Sequence, residues 1–121
     1  QLHMKWQKKI IKNGVTIINV LHTRKPTADQ TGKIRKVTEY DALGTSSFVQ
    51  SAAVNIVINR DKMASGDEKH ITEVDMPKCR GGITGPAGQW FYDWKTRQIS
   101  DYDDWLVTQS GGGSPASEED L

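Results

Sequence analysis

Two cations and a run of glycines lie together in the stretch Asp75–Gly88, where they could act on a phosphate group. Lys78 and Arg80 are two residues apart at the end of a predicted strand, so their side chains should point to the same face. A glycine-rich turn follows, formed by Gly81, Gly82, Gly85 and Gly88. A cation pair braced by a tight turn suits the presentation of positive charge to a phosphate. The alternative is a β-hairpin whose two cations are only solvated at its rim.

A histidine is the second candidate for phosphate contact. His22 comes directly after a predicted strand over residues 15–21, and open α/β sheets place their ligands at the carboxyl ends of strands. An imidazole there can hydrogen-bond a phosphate or a water bound to it. The alternative is a loop histidine that has no role.

A long polar segment, Thr23–Thr38, follows this histidine and is rich in positive charge. Loops longer than about 12–15 residues are usually functional or disordered. Lysine and arginine bind nucleic-acid phosphates, whereas the absence of aromatic residues here gives no reason to expect base stacking. The segment is therefore a candidate nucleic-acid contact, and an ordinary basic loop is the alternative. Its cations are Arg24, Lys25, Lys33, Arg35 and Lys36.

The hydrophobic pattern predicts an α/β fold that would position these groups. Residues 4–13 read as a helix ended by Gly14, and the near-continuous apolar run over residues 15–21 reads as a strand buried in a parallel sheet. A second helix ends near residue 53. Further strands are predicted at residues 54–60, 68–76 and 89–94, with a short strand or docked tail at 98–105.

Length and composition describe one domain of modest size. The chain has 121 residues, of which 26% are charged and 36% apolar, and no apolar run approaches the roughly 20 residues that span a membrane. The domain is predicted over residues 1–108, and the Gly/Ser-rich, acidic residues 109–121 are predicted to be disordered. The single cysteine, Cys79, cannot form an internal disulfide and indicates a reducing compartment. No metal is expected, because the histidines and Cys79 lack ligand spacing.

Four motifs occur in a fixed order along the chain. They are Leu-His-Thr-Arg-Lys-Pro at residues 21–26, Asp-Ala-Leu-Gly-Thr-Ser-Ser-Phe-Val-Gln at 41–50, a strand ending in Arg60, and Lys-Cys-Arg at 78–80 followed by Thr84-Gly85 and Tyr92. Together they resemble the C-terminal part of the DnaB-like hexameric replicative DNA helicases, and more closely the phage helicase-primase branch. The resemblance covers roughly residues 4–100.

The resemblance implies a role for each candidate residue. His22 would sense the γ-phosphate of ATP, and Gln50 would link the nucleotide site to the DNA-binding loop. Arg60 and Tyr92 would pack against the adenine base in their own subunit. Lys78 and Arg80 would reach the ATP of the adjacent subunit, with Arg80 as the arginine finger, which stabilises charge on the transferred phosphoryl group. The loop that would hold single-stranded DNA contains Arg24, Lys25, Lys33, Arg35 and Lys36.

The fold implied by the resemblance is a partial RecA-like, P-loop NTPase domain, in which inner parallel strands are followed by an antiparallel hairpin. The implied cofactor is ATP with Mg²⁺, bound mainly by parts that this chain lacks. The implied partners are single-stranded DNA, identical subunits in a hexameric ring and, as further candidates, a primase or a polymerase. A role in DNA replication in the cytoplasm of a bacterial or phage-infected cell follows, with no membrane partner.

The sequence also departs from the family pattern. Leu43 replaces the arginine of the second motif, and Ala53 replaces an acid that usually follows its glutamine. No Gly-x-x-x-x-Gly-Lys-Ser/Thr loop occurs, so the chain alone is expected not to hydrolyse ATP and looks like a fragment or half of a split protein. Two alternatives stay open: a non-catalytic module that binds nucleic acid or a helicase, and another RecA-like ATPase such as a recombinase.

Overall fold

The computed structural model describes residues 2–24, 28, 30–32, 35–44 and 46–110. Over these residues the protein is a mixed α/β structure with a four-stranded sheet. Its helices and strands are, in chain order, α1 (Leu2–Ile11), α2 (Ser46–Ser51), β1 (Val54–Arg60), β2 (Ile71–Cys79), β3 (Gly85–Asp93), β4 (Gln98–Asp101) and α3 (Tyr102–Gln109). Short 3₁₀ helices at Glu39–Asp41 and Gly66–His70 precede α2 and β2.

The sheet is an antiparallel meander with the strand order β1-β2-β3-β4. Its register pairs Val54 with Cys79 and Arg60 with Thr72, and Thr72 in turn with Trp90. The predicted bounds of β1 are confirmed, and the antiparallel hairpin of β2 and β3 is present. The expected inner parallel strands are not found within the described residues, where every strand pairing is antiparallel.

The strand predicted over residues 15–21 is not formed, and that prediction was wrong. Ile18 and Val20 are 85% and 87% exposed. A β-branched apolar run favours extended backbone, but it becomes a strand only where a neighbouring strand accepts and donates its hydrogen bonds. Here the segment is tied instead to α1, because the side-chain amides of Asn19 and Gln7 exchange hydrogen bonds of 2.8 and 3.2 Å.

One side of the sheet, called here the covered face, carries Asn55, Val57 and Asn59 of β1 and Phe91 of β3. Val57 and Phe91 are buried. Trp105 of α3 stacks on Phe91, with ring centroids 3.7 Å apart. The Asn59 amide accepts from the backbone N–H of Val37 at 2.8 Å and donates to its carbonyl at 3.0 Å, which fixes the preceding segment on this face.

The other side, called the open face, follows from the alternation of side chains along each strand. It carries Val54, Ile56 and Ile58 of β1, Trp90 of β3 and Ile99 of β4, and all five are exposed. Val74 of β2, which is opposite Ile58 on this face, is buried. The sheet therefore packs Phe91 against α3 on one side and, apart from Val74, leaves apolar surface in solvent on the other.

The C-terminal part of the described chain contains the predicted short strand and a helix that the hydrophobic pattern does not predict. After β4, the Asp101 carboxylate accepts a hydrogen bond of 2.9 Å from the backbone N–H of Asp103 and so caps the start of α3. Residues 111–121 of the predicted tail lie outside the described residues.

Candidate functional site

Lys78 and Arg80 converge on the end of α2. The Nζ of Lys78 donates to the carbonyl oxygen of Gln50 at 2.6 Å, and more weakly to that of Val49 at 3.4 Å. Arg80 Nη2 lies 3.5 Å from the same Gln50 oxygen. The last carbonyls of a helix have no partner within the helix and carry partial negative charge, so two cations there stabilise its end. Three of the four predicted catalytic residues thus meet at one oxygen.

The turn after β2 holds Arg80 through glycines whose conformation or contacts exclude a side chain. Gly81 has a φ of +79°, which an L-residue adopts only with strain. A Cβ on Gly82 would lie 2.6 Å from Cys79 Sγ, closer than packed atoms approach. The backbone N–H of Arg80 donates to the carbonyl of Ala53 at 2.9 Å, which continues the pairing of β1 and β2. Gly81 and Gly82 therefore form the turn beside the cation pair, whereas Gly85 and Gly88, which were also predicted in the turn, lie in β3.

His22, the predicted phosphate sensor, lies in a short stretch of chain that pairs with the segment leading into α2. The carbonyl of His22 accepts from the backbone N–H of Leu43 at 2.7 Å, and the N–H of Arg24 donates to the carbonyl of Asp41 at 2.7 Å. Between them, Thr23 forms an isolated antiparallel bridge with Ala42. His22 itself is exposed, and no side-chain contact links it to Lys78 or Arg80 in the part of the chain described.

A small cavity brings Arg24 and Gln50 together. Its volume is about 160 Å³, and Glu39, Tyr40 and Val49 also line it. Sites that enclose a nucleotide-sized ligand measure about 300–1,000 Å³. This cavity is therefore too small for a whole nucleotide, and it joins the predicted DNA-binding loop to the helix that the cation pair caps.

A larger cavity of about 570 Å³ lies elsewhere, between residues 36–38 and the start of α3. Its walls include Glu73, Asp75, Asp101 and Asp103, with Lys36 as a cation. This acidic lining disfavours a triphosphate, and none of the predicted catalytic or nucleotide-binding residues contributes to it. Size alone therefore does not identify the candidate site.

Arg60 and Tyr92, the predicted adenine-contacting residues, share the open face at one end of the sheet. Arg60 is opposite Thr72, Thr72 is opposite Trp90, and Tyr92 is two residues further along β3. The Arg60 Nε donates to the carbonyl of Lys69 at 2.8 Å, which holds the guanidinium at the strand end. The structure brings these two residues to the same end and face of the sheet.

The two predicted sets lie at opposite ends of β2. Arg60 pairs near its start, at Thr72, whereas Lys78 and Arg80 lie at its end. At about 3.3 Å per residue, the sets are roughly 20–25 Å apart along the strand. Lys78 also faces the covered side, opposite Asn55. A single nucleotide could not contact both sets at once.

The predicted DNA-binding loop is only partly described. Lys25 and Lys33 lie outside the described residues, and Arg24 is exposed. Arg35 forms a two-pronged ion pair with Asp41, with N–O distances of 2.8 and 2.6 Å, and Lys36 forms an ion pair with Glu73. The DNA contacts of these residues remain predictions, and two of the cations already hold an acid of their own chain.

The Asp41 carboxylate is the most strongly perturbed titrating group in the described structure. The hydrogen bonds from Arg35 hold its pKa far below the ordinary carboxyl range, and the hydrogen bond from the Thr38 N–H lowers it further. The same pairing raises the pKa of the Arg35 guanidinium. Both groups therefore stay charged at neutral pH, and the pair is ionic there.

Comparison with known proteins does not identify the chain. Neither family models nor curated proteins match its sequence. The assignment of function therefore rests on the site geometry and on the order of the four motifs.

Sequence reasoning missed the polar side chains that hold the site together. In the sequence, Asp41 stands out only as the first residue of a motif. The Asn55 amide donates to Glu39 at 2.7 Å and to the Val49 carbonyl at 3.0 Å, and Asn59 makes the two bonds to Val37. One signal was available: asparagine is disfavoured in strands, so two of them on one face of a β-branched run indicated polar partners.

Within the described residues, no group of three or more histidine, cysteine or acidic side chains is placed to hold a metal ion. Over the same residues, no helix combines the length and apolar character needed to cross a membrane.

Proposed function

We propose that this chain is the C-terminal portion of a RecA-like domain in a ring-forming, ATP-dependent DNA helicase. The observation that carries the proposal is the convergence of Lys78 and Arg80 on the Gln50 carbonyl. In the motif order described above, these are the trans-acting cations and the residue that links the nucleotide site to the DNA loop. The sheet register contributes to their meeting, because β1 begins just after α2 and its first residue, Val54, pairs with Cys79; the orientation of α2 then places the Gln50 carbonyl at the two cations.

The two separated sets support a composite nucleotide site. Arg60 and Tyr92 lie at one end of the sheet and the cation pair at the other, which suits contact with two different nucleotides. Arg80 is exposed and Lys78 partly so, so their charge is accessible to a phosphate on an adjacent subunit. In this arrangement each chain donates cations to its neighbour's site while it contacts its own nucleotide through Arg60 and Tyr92.

Two ATP molecules would contact this chain, one at each end of the sheet: Arg60 and Tyr92 would contact the adenine of its own ATP, and Lys78 and Arg80 the phosphates of the neighbour's ATP. When bound, ATP supplies the phosphoryl group whose transfer to water drives movement. Mg²⁺ would be held mainly by the parts of the helicase domain that the resemblance places outside this chain. Single-stranded DNA would follow the segment that begins at Arg24, beside the cavity that this residue shares with Gln50.

The test uses the complete product of the gene that encodes this chain, assayed for ATP hydrolysis stimulated by single-stranded DNA. Arg80→Ala should lower the hydrolysis rate by about 10³-fold, because an arginine finger stabilises the transition state, while ATP binding persists. Arg97→Ala serves as the matched control, since Arg97 lies in the turn between β3 and β4, and should leave the rate unchanged.

Two outcomes would contradict the proposal. Loss of ATP binding with Arg80→Ala would place Arg80 in its own subunit's site. A complete gene product that binds single-stranded DNA but does not hydrolyse ATP would instead favour a non-catalytic module that retains only the DNA-binding function.

A further inference from the structure

Asp41 makes more hydrogen bonds than its place in a short 3₁₀ helix requires. Its carboxylate accepts two from Arg35, at 2.6 and 2.8 Å, and two from Thr38, from the backbone N–H at 2.7 Å and the hydroxyl at 3.2 Å. The residue is only 8% exposed. A buried carboxylate of this kind is retained only where its partners satisfy it.

The main chain of Asp41 makes a second kind of contact. Its carbonyl oxygen accepts the backbone N–H of Arg24 at 2.7 Å. One residue therefore holds Arg24 through its carbonyl and Arg35 through its carboxylate. Arg24 is the first cation of the basic segment and Arg35 precedes its last, Lys36, so the two contacts lie near the two ends of the segment.

Arg35 is held by Asp41 and still has donors to offer. The contacts to Asp41, with one of 3.3 Å to the Lys36 carbonyl, use three of its five N–H donors. Its side chain remains 51% exposed. A guanidinium that is fixed by a two-pronged bond loses little further freedom when it meets a phosphate, which lowers the entropic cost of binding.

We infer that Asp41 is a positioning residue for nucleic-acid binding, whose carboxylate sets the place of the Arg35 guanidinium for contact with a phosphate backbone. The inference rests on the proposed function. It also makes a prediction opposite in sign to simple electrostatics. Removing a negative charge from a surface that binds a polyanion should tighten binding, whereas removing the carboxylate that positions Arg35 should weaken it.

The experiment measures binding of the whole chain to a fluorescent oligothymidylate by anisotropy, over salt concentrations from about 50 to about 200 mM. Asp41→Asn keeps the shape of the side chain and removes its charge. We expect affinity to fall about tenfold, as when a hydrogen bond to a charged group is removed. The slope of log K against log salt should also become less steep by about 0.7 for each phosphate that the variant no longer neutralises.

Two further variants distinguish an effect of the position of Arg35 from an effect of net charge and from a loss of folded protein. Arg35→Lys keeps both charges but cannot make two parallel bonds to one carboxylate, so affinity should again fall, on an exposed side chain that tolerates substitution. Glu73→Gln removes the acid that pairs with Lys36 and should tighten binding. Merely lowered stability would reduce the active fraction and leave the salt slope unchanged, which circular dichroism and the slope together would reveal.

The binding results distinguish failure of the positioning role from failure of the proposed DNA contact. If Asp41→Asn and Arg35→Lys bind as tightly as the wild-type chain or more tightly, the positioning role is overturned while the helicase proposal survives. If the wild-type chain itself does not bind the oligonucleotide, or binds without salt dependence, the proposed DNA contact fails and the positioning role fails with it.

Discussion

The covered and open faces of the sheet both carry large apolar side chains, and these end in different environments. On the covered face Phe91 is 3% exposed and packs against α3, whereas on the open face Ile58, in the middle of β1, is 57% exposed. Apolar side chains alone do not decide which face is buried. Two asparagines on the covered face hold the segment over it, whereas the open face of β1 carries the apolar residues Val54, Ile56 and Ile58. We therefore expect side-chain hydrogen bonds to help select the covered face.

The largest expected effect concerns the aromatic packing of the covered face. Phe91→Ala should lower the free energy of unfolding by about 3–5 kcal/mol, because it leaves a cavity beneath Trp105. Urea denaturation followed by circular dichroism measures it. Phe91→Leu, which keeps most of the apolar volume, should cost less than about 1.5 kcal/mol. If the two variants lose the same unfolding free energy, stability at Phe91 depends on its aromatic stacking with Trp105 and not on filled volume.

A smaller effect is expected from the hydrogen bonds that select the face. Asn59→Ala removes the partners of both backbone groups of Val37 and should destabilise the protein by about 1–3 kcal/mol. Gln89→Ala removes an exposed amide from the next-but-one strand and should change stability by no more than about 0.5 kcal/mol. If the two variants are equally stable, Asn59 does not hold the covering segment. Its hydrogen bonds would then not explain why this face of the sheet is covered.

The ionic link of Asp41 adds a pH dependence to the covered side. Its pKa is lowered in the folded state, so its contribution to stability is complete above the ordinary carboxyl pKa of about 4 and is lost as the pH falls below it. Asp41→Asn cannot titrate there. The difference in unfolding free energy between wild type and variant should therefore narrow from about pH 5 to about pH 2, measured by urea denaturation. A constant difference would mean that the charge of Asp41 does not contribute.

The smallest effect is expected on the open face. Ile58→Thr keeps the β-branched shape and should change the unfolding free energy by no more than about 0.5 kcal/mol, as for exposed positions without special contacts. Thermal unfolding at two protein concentrations measures it. A larger loss of stability that grows with protein concentration would show that another molecule buries the open face in solution. Both faces would then be buried, one by a segment of the same chain and the other by another molecule.

The sequence predicts the individual elements better than their arrangement. β1 has the predicted bounds, and α1 and the hairpin of β2 and β3 are present, because period, glycine placement and β-branching act locally. Residues 15–21 have the same local signals as β1 but form no strand. A strand needs a partner, and local pattern carries no information about which partner is present. The helix α3 had a readable signal in its capping Asp101 followed by two acids.

The sequence predicts the parts of the site that depend on the spacing of residues along one strand. It does not predict the contacts that one residue makes with several distant partners. The shared face of Lys78 and Arg80 follows from their spacing on a strand. Their contact with Gln50 does not, since it depends on how α2 lies against the sheet. Asp41 could not be separated by pattern from the other acids, because its importance lies in contacts made by both its side chain and its main chain.

The meander order of the sheet has a consequence for how the protein folds. Each strand pairs with the next one along the chain, so the sheet can form by successive local hairpins with little loss of chain entropy. The segment over the covered face joins through contacts such as Asn59 with Val37, which are 22 residues apart. These longer closures become favourable only once the sheet exists. We therefore expect the hairpins to form first, and the segment that carries Arg35 and the helix α2 to dock last.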